Sequence, residues 1–241
     1  MAFPFLSARW TNLFLATYAV PPSLLEKRLP TGLELDTRDG QAFVSLVAFD
    51  FAGTRVFGVP WPGYRNFPEL NLRFYVRHGS DRGVIFIREY VALRLVARLA
   101  RLLYNEPYRV APLSSLIHDE PDRLTVEHRL RQGGRVHTLR ATGGKPGYLP
   151  EETSVEHFFK EHRWGFGRTQ RGRALRYEVV HPVWEVYPVV DYHIDLDWGL
   201  VYGPEWDFLS EADPYSTIVA GGSAVRVYPH GKLAPIAVTA S

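Results

Sequence analysis

Cysteine is absent from the 241 residues, which excludes disulfides, thiolate nucleophiles, iron–sulfur clusters and cysteine-ligated zinc. Lysine is scarce. It occurs only at Lys27, Lys145, Lys160 and Lys232, so arginine carries nearly all the positive charge. No run approaches the ~18 apolar residues of a membrane-spanning helix. The opening MAFPFLSARWTNLFLATYAV lacks the basic segment, unbroken apolar core and small-residue cleavage site of a secretory leader. A soluble cytoplasmic protein is therefore expected. Neither charge sign dominates: 28 basic and 26 acidic residues mix along the chain and leave a net +2, too small for an electrostatic footprint on nucleic acid. One methionine, 18 prolines and few Asn or Gln suit either heat adaptation or a GC-rich genome.

What is present is a hydrophobic content of 46% with 14% aromatics, enough for a full core. With neither internal repeats nor a linker that would split the chain, one domain over 1–241 is expected. VPPSLLEKRLP, Val20 to Pro30, predicts a helix of one or two turns bounded by prolines. QAFVSLVAFDF, after the Asp39-Gly40 turn, reads as a strand packed on both faces. Gly53 to Pro68 reads as a long loop carrying Trp61, Tyr64 and Phe67. FPELNLRFYV and GVIFIREY form an antiparallel pair across HGSDRG. VALRLVARLARLLYN then changes to helical period, with Arg94, Arg98 and Arg101 on one stripe.

RLTVEHRL and RVHTLRAT, joined through Gly133-Gly134, predict a hairpin. In SVEHFFKEHRW a helix is expected to start from a Thr153/Glu156 capping box and to end at Gly165. Strands are expected in RALRYEVVHP, WEVYPVVDYHIDLD and SAVRVYP, with a short helix around EWDFLSEA. Strands outnumber helices without βαβ alternation, so the class is a mostly antiparallel α+β fold.

FPELNLRFYV carries the chemical question. Alternation sends Leu70, Leu72, Phe74 and Val76 to one face and Glu69, Asn71, Arg73 and Tyr75 to the other. Same-face neighbours lie roughly 6.6 Å apart and Glu69 and Arg73 about 13 Å, so these two charges must find other partners. The polar face fits either solvated surface or the wall of a site, and in the second case buried charge demands a network or a bound polar ligand. Other patterns say less. His157, Glu161 and His162 do not have zinc-helix spacing. His118, His128, His181 and His193 each fit an acid or base, but as a group read as ordinary hydrogen-bonded residues. GFGRTQRG spaces its glycines wrongly for a phosphate loop, the arginine stripe fits a solvated helix edge, and no serine sits in G-x-S-x-G.

Several blocks together carry a resemblance. Trp10-Thr11-Asn12-Leu13-Phe14, VPPSLLEKRLPTGLELDTRDGQAFVSLVAF, FPELNLRFYV, Ala100-Arg101, Pro107-Tyr108, HFFKEHRWGFGRTQRG, YEVVHPVWEVYP and VYGPEW resemble the YqjF-like bacterial family. That family is similar in fold to acetoacetate decarboxylase, and the resemblance implies a closed, cone-like antiparallel β-barrel with outer helices around a small-molecule cavity. It also implies a cavity role for Glu69. In the decarboxylases a lysine of lowered pKa forms a Schiff base with a keto acid, but the matching segment, Gly83 to Pro112, holds arginines and no lysine. Arginine stays protonated and cannot replace it. The chain also departs from the family pattern in having Tyr90 where an acidic residue is typical and Glu106 before Pro107-Tyr108.

The expectation is thus a cavity protein for a small anionic or carbonyl-bearing molecule, acting as a metal-free acid–base lyase, hydrolase or isomerase without a Schiff-base lysine. Glu69 would act as base and Arg73 as clamp, with Asn71, Tyr75, Arg88, Tyr108 and Arg163 binding ligand. No cofactor or metal is implied. The partner is a small molecule rather than nucleic acid or membrane, and a homo-oligomer is compatible. Two alternatives stand beside it: a non-catalytic binding or sensing module, and nucleic-acid or partner binding through the Arg94 face.

Overall fold

A computed structural model of the chain describes residues 3–98, 107–168 and 174–233. Long β-rich segments form a nine-stranded sheet. β1 (Leu6–Val20), β3 (Ala42–Val56), β4 (Phe67–His78), β5 (Asp81–Val91), β10 (Trp164–Arg168), β11 (Ala174–Val180) and β13 (Ser216–Lys232) follow one another in pairing, and the β4–β5 pair closes them into a ring. The short strands β2 (Glu34–Leu35) and β6 (Tyr108–Val110) add to β4 and β5. A second sheet, antiparallel throughout, has the order β12 (Val189–Asp195), β9 (Arg135–Gly144), β8 (Arg123–Gln132), β7 (Leu113–Asp119).

Because both faces of the ring strands are covered, they are apolar on both sides. The outward set Phe14, Ala16, Val44, Leu46, Leu70, Leu72 and Phe74 packs with Val126, Leu139, Trp198 and Trp206 from the second sheet and the late helices. The inward set Leu13, Leu15, Val47, Phe49, Phe51 and Phe67 forms a separate core with Phe159 and Trp184. A hydrogen-bonded cluster pins the second sheet to the ring. The His128 ring (0% exposed) donates through Nε2 to the Asn12 carbonyl at 3.0 Å, its Nδ1 meets Ser115 Oγ at 2.9 Å, and Ser115 donates to Asp50 Oδ1 at 2.6 Å. Burial lowers the His128 pKa. His128→Leu keeps most of the bulk but orphans two partners, and is expected to lower stability by about 2 kcal/mol in urea denaturation.

The helices are short. α1 (Pro22–Glu26) buries Leu25 and α4 (Trp198–Tyr202) leads into a 3-10 turn at Pro204–Glu211. α2 starts at residue 94 and is described to 98, so the remainder of the segment expected to be helical, with Arg101, lies outside the described residues. α3 (Val155–Lys160) differs from expectation at both ends. Ser154 rather than Thr153 caps it, its Oγ accepting from His157 N at 3.1 Å, and Glu161 is already extended at φ −95°, ψ 90°. Trp164 and Gly165 belong to β10. The loop expected from Gly53 is shorter, since β3 continues to Val56, and β12 begins only at Val189 because Trp184 to Pro188 runs extended with isolated bridges.

Candidate ligand cavity and active site

The inward faces of the ring strands line a cavity of about 180 Å³. Register explains its polar wall. Phe49 pairs with Glu69 and Val47 with Asn71 on one side, while Glu89 pairs with Asn71 on the other. Directly paired residues share a face, so Glu69, Asn71 and Glu89 converge inward, and all three line the cavity. One α-turn from α3 closes the far side of Tyr75. Phe159 is fully buried against Phe43 and Tyr75, with ring centroids 5.0 and 5.3 Å away.

Glu69 is 2% exposed. Its Oε2 accepts from Tyr108 Oη at 2.7 Å and its Oε1 from Asn71 Nδ2 at 3.0 Å. Burial raises its pKa from 4.5 to about 7, against the opposing pull of Tyr108, Asn71 and the Arg73 charge. Burial together with Glu69 and Glu89 pushes the Tyr108 phenol well up, so it stays a donor. Arg73 lines the cavity and donates Nη2 to the Phe159 carbonyl at 3.1 Å, leaving its buried Nε without a partner among the described residues. Asn71 Oδ1 is likewise buried and unpartnered there.

The remaining expected residues divide. Tyr75 is buried but spends its hydroxyl on Ser45 and on the Phe159 carbonyl, 3.3 Å away, in a chain that continues from Ser45 to Thr17 at 2.6 Å. It supports the wall rather than lining the cavity. Arg88 points outward. It pairs with Leu72, whose side chain is in the outer core, and donates to the Val201 carbonyl beside Tyr90 Oη, which reaches the same oxygen at 2.7 Å. A bulge between Leu72 and Arg73 sets this register, so Glu89 takes the inward place. Arg163 is exposed and pairs with Glu178 outside the lining.

The segment after α3 contributes residues that sequence reasoning passed over. His162 is 7% exposed and lines the cavity, and neither ring nitrogen has a partner among the described residues. Burial, with Arg73 and Arg82 behind it, drives its pKa well below the usual value, so the ring is neutral and offers one donor and one acceptor. Lys160 also lines the cavity. An amine is thus present after all, from α3 rather than from the segment following β5. Its ammonium pairs with Glu161 and lies 5.4 Å from the centre of the Trp184 ring; burial lowers its pKa and Glu161 opposes that. The only signal for these residues was the cluster His157, Lys160, Glu161, His162 itself. Among the described residues no group of three or more His, Asp or Glu is arranged to hold a metal ion, and no helix is long and apolar enough to cross a membrane.

Solved structures share this fold. An acetoacetate decarboxylase-like enzyme from Sphingomonas wittichii RW1 superposes with a TM-score of 0.66 at 12% identity, covering 96% of this chain and 94% of its own. Acetoacetate decarboxylase from Legionella pneumophila gives 0.62 at 15%, covering 98% and 89%. At these identities the likeness is one of fold. In sequence, the Bacillus subtilis (strain 168) protein YqjF, described as uncharacterized, is 28% identical over 176 residues, 73% of this chain and 72% of that protein. The DUF2071 family, described as an uncharacterized conserved protein, matches residues 7–223, and the chain belongs to that family.

Proposed function

We propose that the ring cavity binds a small molecule bearing a carboxylate or a carbonyl group, and that Glu69 moves a proton to or from it in a lyase, hydrolase or isomerase reaction. The observation that carries this reading is a carboxyl held at about 7 on the cavity wall. General acid–base catalysis is most effective when the group titrates near the working pH. Tyr108 and Asn71 fix the carboxyl's orientation, and Arg73 Nε, with no partner of its own among the described residues, supplies a charged donor for a ligand oxygen. His162 supplies a neutral donor and acceptor. The shared fold with enzymes named for acetoacetate decarboxylation supports a keto acid as the first ligand to try.

The test is uptake of deuterium at the carbon next to the carbonyl of bound acetoacetate, pyruvate or phenylpyruvate, followed by proton NMR in heavy water. Exchange is expected for the native protein and a loss of about 100-fold or more for Glu69→Gln. Arg73→Met is expected to weaken binding of the acids by about tenfold or more while sparing their methyl esters. Binding without exchange would instead identify a non-catalytic binding or sensing module. Borohydride added with the bound acid separates proton transfer from covalent capture by Lys160, and an unchanged protein mass is the expected result.

A further inference from the structure

The Glu69 end accounts for only part of the cavity's buried polarity. Trp184 is 6% exposed and lines the cavity, yet its Nε1 is buried with no hydrogen-bond partner among the described residues. Trp10 Nε1 is in the same state, and the two indoles stand 6.1 Å apart between centroids in the same lining. The His181 ring touches both, at 5.7 and 5.5 Å, with its Nδ1 2.9 Å from the Pro182 carbonyl. Trp10 also meets Phe49 at 5.6 Å, and Phe49 continues to Phe51 and Phe67, so an apolar stretch adjoins the indole pair.

An indole N–H can only donate. A buried donor without an acceptor destabilises the folded state, and phenylalanine would pack the same wall without one. Two such donors on neighbouring indoles of one cavity lining, with the Lys160 ammonium 5.4 Å from the centre of the Trp184 ring, therefore point to a ligand oxygen as the missing acceptor.

We infer that Trp10 and Trp184 form a second recognition subsite of this cavity, reading an oxygen acceptor on the ligand's apolar body. This rests on the reading of the cavity given above and narrows its ligand class. The ligand has a carboxylate or carbonyl head at Glu69, Arg73 and His162, an apolar middle, and a hydroxyl or carbonyl oxygen at the indoles. A simple short keto acid fills only the first subsite.

A matched pair of compounds tests it: phenylpyruvate and 4-hydroxyphenylpyruvate, titrated calorimetrically into the full-length protein. The hydroxylated acid is expected to bind about tenfold tighter. Trp184→Phe and, separately, Trp10→Phe keep the ring and remove the N–H, and each is expected to shrink that ratio towards one; should either variant fail to fold, the other carries the comparison. Equal affinity of the two acids for the native protein overturns the subsite, as does a ratio that survives in the variants. In both cases the keto-acid reading of the Glu69 end stands. If neither acid binds, and Glu69→Gln is also without effect on exchange, that reading falls and the subsite falls with it.

Discussion

Replacing Glu69 with glutamine is expected to make the unliganded protein more stable at pH 8 and to remove a loss of stability that the native protein shows between about pH 4.5 and 7. The native carboxyl titrates near 7 in the folded state and near 4.5 when the chain is unfolded and the group is in water. Below 4.5 both states hold the proton and burial carries no ionic cost. As pH rises through the window the unfolded chain releases its proton first, which favours unfolding. Above 7 the folded protein holds a buried anion, and the accumulated penalty is about 3 kcal/mol. Glutamine keeps the shape and stays neutral throughout. Its amide oxygen can accept from Tyr108, and once the Asn71 amide turns over, its NH2 can donate to Asn71 Oδ1, which has no partner among the described residues. Chemical denaturation of both proteins at half-unit pH steps isolates the effect, because His128 and the other titrating groups cancel in the difference. Parallel stability curves would show that the cavity wall solvates the carboxylate well, and the case for a carboxyl poised near neutrality would go with them. A tightly bound anion should enlarge the effect, since it favours the protonated carboxyl and binding then takes up a proton above pH 7.

The alternation of FPELNLRFYV made its inner face readable because strand period is local: Glu69, Asn71 and Arg73 do share a wall. Tyr108, expected near the site, reaches it through the parallel pairing of β6 with β5, at Glu89. What was not legible depends on irregularity and on distant pairing. The bulge opposite Leu72 and Arg73 decides whether Arg88 or Glu89 turns inward, and no composition rule announces a one-residue slip in a sheet. In SVEHFFKEHRW the expected helix runs on to Gly165. The helix nevertheless stops at Lys160, where Glu161 turns extended and the chain heads for β10, which puts His162 in the wall rather than on a helix face. β1 is a strand that the sequence reading does not name: its register against β3 shifts between Thr11 and Phe14, and its other partner β13 lies some 200 residues away, far outside any local window. The closing of the ring is a property of such long-range pairs. It entered through the family resemblance, and the shared fold with the acetoacetate decarboxylase structures agrees with it.

The β13 position facing β1 beside the bulge at Asn12 is where the largest single structural effect of a small substitution is expected. Against β3, Thr11 pairs with Asp50 and Phe14 with Ala48, so β1 carries one extra residue there, with Asn12 at φ 56°; against β13 the register is unbroken and Thr11 faces Gly222. Gly222 itself adopts φ +91°, and a methyl group there would sit 2.0 Å from the Trp10 carbonyl oxygen and 2.8 Å from Leu13 Cδ1. The oxygen belongs to backbone held on both sides by β3 and β13, so no rotamer change relieves the overlap. Gly222→Ala is therefore expected to lower stability by about 3–4 kcal/mol, combining positive-φ strain with forced separation of the strands. Gly40 makes the control. Its φ is +77° with nothing within 4 Å of an added methyl, so Gly40→Ala should cost only about 1 kcal/mol. Urea denaturation of the pair separates conformational strain from overlap, and equal losses would show that β1 can yield at the bulge. The displacement also has a functional reading, since Trp10 is carried on the strand that must move. At urea-free conditions, Gly222→Ala protein that still folds should lose the selectivity assigned to the indole pair before it loses binding at Glu69, because Trp10 is overlapped directly, whereas β1 and β3 lie between Gly222 and the strand of Glu69, which is also held by β5 and Tyr108.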